Sequence, residues 1–371
     1  MKKQISLALA GVMALSLAAC GGSASTATST SEAASTAEST EASSAASTEA
    51  AAAGDVLDQA AAAAFAQDVT LTMWGAEEDQ DLLREISDKF IEKYGNYGGK
   101  ITINLGTQSE STAKDTVLTD PTAAADVYAF ADDQLNELVK AGALQEVQLN
   151  ADDVKSRNTP ASVDAATVDG KIYAYPLTAD NGYFMFYNKE YFTEEDVQTL
   201  DGMLAKAAAA GKYVGFPMSD AWYLYSFFQG AGLEMHVTED GVTNTCNWNA
   251  TDTEITGVQV VEALLAITSN PGFREANSDP FVAGVKDGSI IAGVSGTWNA
   301  KVAQEAWGEN YAACKLPTYT VAGKQVQMAS FAGFKLVGVN PYSQNVYDAM
   351  LFAEFMTNEE NQISRFELRG Q

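Results

Sequence analysis

Aromatic and acidic side chains recur together where this sequence is expected to end its strands. Trp74 precedes Glu77, Glu78 and Asp79, Phe130 precedes Asp132 and Asp133, Asp180 adjoins Asn181, Asp220 precedes Trp222 and Tyr223, and Trp298 precedes Asn299. An aromatic plane offers a flat apolar surface, and a carboxylate accepts hydrogen bonds without donating any. Together they suit a ligand with an apolar ring face and a rim of donors, which describes a pyranose sugar. Hydrogen bonds to a charged acceptor contribute about 1.5–3 kcal/mol each once water is excluded. The same residues also have plainer roles. Trp74 and Phe130 follow strands and can be core, Glu77 to Asp79 can favour a helix start, and the run Trp222 to Phe228 leaves at most two aromatics to face a ligand.

Composition narrows the chemistry further. The chain has 371 residues, 46% of them hydrophobic, and a formal charge of -27. That length supports two cores of ordinary domain size. The charge repels nucleic acid and anionic surfaces, leaving neutral or cationic ligands. The single histidine, His236, has no second histidine with which to build a metal site or a catalytic relay, and it precedes the turn Glu239-Asp240-Gly241. It is expected to be a solvated hairpin residue. No catalytic residue, metal site or cofactor is expected.

The elements that must position these side chains follow from periodicity. Val69 to Trp74 reads as a strand, and Leu82, Ile86, Phe90 and Tyr94 recur at helical spacing over Gln80 to Tyr94. Strands at Lys100 to Leu105 and Ala125 to Phe130 alternate with helices at Ser111 to Leu118 and Gln134 to Ala141. That order predicts an α/β fold with mixed, mainly parallel sheets and ligands at the strand ends. The stretch Tyr173 to Lys189 predicts two aromatic strands around a polar break, Ala179 to Gly182, where the chain crosses between two lobes. An ordinary connection within one domain remains the alternative there. A second α/β lobe follows, with helices at Thr193 to Ala210, Ala221 to Gly230 and Thr256 to Thr268, and strands at Tyr213 to Met218 and Ile290 to Val294. Ala329 to Val339 is expected to return as a strand to the first lobe. Two helices, Asn345 to Glu354 and Asn358 to Leu368, come after it. The predicted lobes are 68–179 plus 330–371, and 180–329.

Residues 1–20 have the layout of an export signal: Lys2 and Lys3, the apolar run Ile5 to Leu17, then Leu17-Ala18-Ala19-Cys20. Residues 21–67 are rich in Ser, Thr, Ala and Glu and are expected to form a disordered tether, with a loose helix possible over Asp55 to Gln67. A long acidic tether suits a protein standing off a thick wall, hence a Gram-positive cell. Cys246 and Cys314 fit no disulfide framework and are expected to be unpaired.

Several motifs carry a resemblance. Leu17 to Cys20 resembles the lipobox of bacterial lipoproteins, which implies a lipid on Cys20 and a membrane anchor. From Val69 to Gln371 the chain resembles family 1 extracellular solute-binding proteins of the maltose and maltodextrin-binding kind. The motifs are D-V-Y-A-F-A-D-D-Q at Asp126 to Gln134, D-G-K-I-Y-A-Y-P at Asp169 to Pro176, F-M-F-Y-N-K at Phe184 to Lys189, the run Phe281 to Trp298, and K-L-P-T-Y at Lys315 to Tyr319. The resemblance implies two lobes of periplasmic-binding-protein type that close by a hinge, and a monomer that delivers an oligosaccharide to the permease subunits of an ABC importer. It implies stacking roles for Phe130, Tyr223 and Trp298, a hydroxyl-binding role for Asp133, and polar contacts from Glu77, Glu78 and either Asp180 or Asn181. Trp222 is added from its place beside Tyr223. Where the family has an arginine next to this aspartate, the chain has Gln134. The family also continues beyond the position of Gln371, which implies a fragment. Competing functions are a binding protein for a polyamine or other cation, a surface glycoside hydrolase with two of the carboxylates as acid and base, and a wall-bound adhesin or scaffold.

Overall fold

A computed structural model of the chain describes residues 56–239 and 241–371. The expected signal, Cys20, Asp240 and the tether up to residue 55 lie outside the described residues. Two five-stranded sheets organise the rest. We number their strands β1 (Val69–Gly75), β2 (Ile101–Thr107), β3 (Val127–Ala131), β4 (Tyr175–Gly182), β5 (Phe184–Asn188), β6 (Tyr213–Phe216), β7 (Phe273–Glu275), β8 (Ile290–Ser295), β9 (Tyr311–Cys314) and β10 (Ala332–Val339).

The first sheet has the order β2-β1-β3-β10-β4. Strands β1, β2 and β3 pair in parallel, while β10 runs antiparallel to both β3 and β4. Strand β1 alternates. Val69, Leu71 and Met73 are buried, whereas Thr70 is exposed and Thr72 and Trp74 are half-buried. The buried face packs against the helices Gln80–Tyr94 and Val346–Met356, whose Phe90 and Phe352 rings meet edge-on at 5.0 Å.

The second sheet has the order β7-β6-β8-β5-β9 and is covered on both faces. Strand β5 divides its side chains by period two. Met185 and Tyr187 enter one core, while Phe184 and Phe186 join the other. Burial on both sides explains why every residue of β8 is buried and why its sequence is an unbroken run of small and apolar residues.

Strands β4 and β5 are separated only by Tyr183, so the chain leaves one sheet and enters the other within a residue. Strand β10 makes the return. The expected polar break is therefore absent, and β4 runs through Ala179 to Gly182, with Asn181 paired to Gly333 and Gly182 to Ala332. Gly182 is not needed there for a left-handed backbone. A Cβ at this position would lie 2.2 Å from the Phe331 carbonyl oxygen, so glycine is what lets the two crossing segments approach.

The helix allowed over Asp55 to Gln67 forms and is docked, so the tether does not run on to residue 67. Residues 56–64 form a helix. Leu57, Ala61 and Phe65 recur every four residues, and Ala61 and Phe65 are fully buried in the first core, with Phe65 edge-on to Phe90 at 5.4 Å. An alanine-rich segment needs only one such stripe to dock. His236 is exposed on the short strand Met235–Val237, which pairs with Asn244–Cys246. Cys246 and Cys314 are both free thiols.

Candidate functional site

The junction of the two sheets gathers most of the side chains in question. Asp180, near the end of β4, accepts a 2.5 Å hydrogen bond from Thr297 Oγ1 in the 3-10 turn Thr297–Asn299 that follows β8. Of these two neighbours, Asp180 is the one bonded to the turn that follows β8.

Trp298 sits in that same turn. Its ring folds back over Gly296, where an added Cβ would come within 2.0 Å of the six-membered ring. The half-buried ring tilts against Trp222 at 6.1 Å, and Trp222 in turn stacks on Phe331 at 5.8 Å with 5° between planes. Phe331 precedes β10. Tyr183, the crossing residue itself, meets Trp222 edge-on at 4.7 Å. Rings from both crossing segments and from the helix Ala221–Gly230 thus form one aromatic wall. Asp220 caps that helix by accepting from the Trp222 N–H, which fixes where Trp222 leaves the backbone.

Two of the expected stacking residues are buried. Phe130 is fully buried in the first core against Tyr128, because every residue of β3 is covered on both faces, so it has no face to offer. Tyr223 is only 9% exposed and packs on Tyr183 at 4.8 Å, backing the cluster. Burial raises its phenol pKa, consistent with a neutral core tyrosine.

The acidic side of the junction comes from the first sheet. Asp132 and Asp133 open the turn after β3, and Asp132 accepts from the Phe334 N–H of β10 at 3.1 Å. Burial raises the pKa of Asp132, and its neighbour Asp133 adds to the effect. Asp133 is itself exposed, yet the protein walls around it raise its pKa too, against the opposing charge of Lys114. Glu77 and Glu78 are exposed in the turn after β1, and Glu77 accepts from Thr107 Oγ1 at 2.9 Å. Gln134, where the family has its arginine, is buried and links the Glu110 carbonyl to the Lys114 N–H. It joins these two segments.

Sequence reasoning missed the cationic part of this junction. Lys335 is 5% exposed, with its ammonium 5.6 Å from the centre of the Trp298 ring and 3.4 Å from Glu110. A lysine inside the otherwise apolar strand F-K-L-V-G-V was the available signal. Asp79, read as a helix-start charge, is buried and ion-paired to Arg365 at 2.5 Å and Arg369 at 3.0 Å. Burial alone would raise its pKa, but Arg365, Lys335 and Arg369 together hold it below the usual value. Two surface cavities lie elsewhere. One, about 620 Å³, borders Ile363 and Phe366, and the other, about 500 Å³, borders Trp74 and Thr116.

The fold has counterparts among known proteins. The family profile for bacterial extracellular solute-binding proteins matches residues 85–371. A galactooligosaccharide-binding protein of Bacillus subtilis (strain 168) is 30% identical over 261 residues, which are 65% of this chain and 58% of that protein. The chain therefore spans less than two thirds of that relative's length. A structure solved with acarbose is 37% identical with a TM-score of 0.71, over 82% of this chain and 79% of the other. The maltodextrin-binding protein MalE1 from L. casei BL23, solved without ligand, is 27% identical with a TM-score of 0.62, over 82% and 79% of the two chains. The two-lobed α/β architecture is shared with these structures. On the match over residues 85–371, this chain belongs to the bacterial extracellular solute-binding protein family.

Proposed function

We propose that the protein binds a malto-oligosaccharide or a related sugar between its two lobes and presents it to the permease subunits of an ABC importer. The observation that carries this reading is the meeting of the Trp222, Trp298 and Phe331 rings with the carboxyl groups of Asp132 and Asp180 at the crossing segments. A pyranose ring stacks on the first group and donates hydroxyl hydrogens to the second. The likeness to a structure solved with acarbose, at 37% identity, supports an oligosaccharide of glucan type. The Bacillus relative supports galacto-oligosaccharide as the competing sugar. A polyamine fits less well, because Lys335, Arg365 and Arg369 place three cations at the junction. The protein acts by binding alone, without covalent chemistry, as a monomer. The export signal and Cys20 support attachment by a lipid to the outer face of the cell membrane, in a Gram-positive cell, with residues beyond Cys20 as a spacer.

Isothermal titration with maltotriose, a galacto-oligosaccharide and spermidine tests the reading. Saturable binding of one of the sugars, weakened in Trp298→Ala, is the expected result. Heat from spermidine alone overturns it.

A further inference from the structure

The last described helix, Glu359–Arg369, packs on the first lobe, yet its end reaches the loop that holds Trp298. Asp79 shares its 3-10 turn with Glu77 and Glu78 and is almost fully enclosed. Its two carboxylate oxygens are divided between two arginines one helical turn apart, Oδ2 to Arg365 and Oδ1 to Arg369. Arg365 is 2% exposed and fixed. Arg369 is more open, and its Nη2 donates at 3.5 Å to the Trp298 carbonyl oxygen on the second lobe. Two further contacts join the same places. Lys301, in the helix that follows Trp298, donates to the Leu368 carbonyl at 3.2 Å, and Gln371 Nε2 lies 3.5 Å from Thr297 Oγ1, whose hydroxyl is bound to Asp180.

We infer that Asp79 and Arg369 are positioning residues that fix the Trp298 loop opposite the Glu77–Glu78 turn, so that the last helix sets the aperture between the lobes. A divided carboxylate gives this link a direction. Arg365 anchors Asp79 within the first lobe, leaving Arg369 aligned by its other oxygen and free to present Nη2 outward. The guanidinium suits this role because its planar fork donates along two directions at once, whereas a lysine ammonium would satisfy Asp79 but not also reach the Trp298 carbonyl. The inference rests on the junction being the ligand site. The link between the lobes can be measured without any ligand.

The test compares the native protein with Arg369→Ala, Arg369→Lys and Lys301→Ala, all of which retain the Asp79–Arg365 pair. In ligand-free protein, small-angle scattering is expected to give a larger radius of gyration for Arg369→Ala. Trp298 emission is expected to shift to the red, and that shift should be absent when the same change is made in a Trp298→Phe background. Arg369→Lys should behave like Arg369→Ala, and Lys301→Ala should show a smaller change of the same sign. Sugar affinity should fall about tenfold in Arg369→Ala, which corresponds to about 1.4 kcal/mol. Unchanged scattering and emission in folded Arg369→Ala would overturn the inference, as would full rescue by lysine. If these ligand-free signals move as expected while even the native protein binds no sugar, the positioning role stands and the sugar reading fails.

Discussion

Substituting Gly296 by alanine moves the Trp298 ring without removing it. The Gly296 backbone, at φ -102° and ψ -176°, is extended and open to any residue, so alanine brings no backbone strain. Its Cβ, however, would lie 2.0, 2.2 and 2.4 Å from three atoms of the indole. Carbon atoms settle at about 3.5–4.0 Å, so the ring must retreat by roughly 1.5 Å. A pyranose covering one indole face removes roughly 80–100 Å² of apolar surface from water, which at about 25 cal/mol per Å² is worth about 2 kcal/mol. Complete loss in Trp298→Ala should then weaken binding about 30-fold. A displaced ring loses part of that overlap, and Gly296→Ala is expected to cost about 1 kcal/mol, or roughly fivefold, with little change in the urea midpoint. Titration calorimetry measures the affinity, and tryptophan emission reports whether the ring moved. A changed emission with unchanged sugar affinity would refute the placement of Trp298 as a stacking surface.

Three further outcomes follow from burial and charge. The raised carboxyls of Asp132 and Asp133 should make sugar affinity greatest when both are ionised and lower it as pH falls through their raised folded-state values. The double Asn variant should flatten that profile in calorimetry at several pH values. Their effect on stability has the opposite sign to that of Asp79. The raised pair is relieved on acidification, whereas the stability due to Asp79, whose pKa is lowered, is present above its unfolded value and lost as pH falls through its folded one. Phe130→Ala should cost about 3–5 kcal/mol in urea unfolding and leave sugar affinity within about twofold, because the ring is core. A larger affinity loss would restore it to the site. Phe65→Ala should also destabilise by about 3–5 kcal/mol, seen as a lower urea midpoint, because the ring is fully buried against Phe90 and Tyr94. An unchanged midpoint would mean that helix 56–64 does not contribute to the first core.

Much of the architecture was written in local pattern. The four-residue recurrence over Gln80–Tyr94 gave a helix with those bounds, and Val69–Gly75 and the mostly apolar β8 are strands where strands were read. Periodicity is a property of neighbours in sequence, so it survives without knowledge of the fold. That aromatics and acids cluster after strands was legible in the same way. What each of them faces was not. Phe130 and Trp298 both end strands, yet one is buried between layers and the other stands on a glycine at the junction. Asp79 and Glu78 are adjacent, but only Asp79 meets arginines 286 and 290 positions away. Which side of a strand end is covered, and which cation reaches a given carboxylate, depends on segments distant in sequence. Only the tertiary packing of the crossing strands and the last helix decides it, because burial and charge pairing act through space and leave no local period.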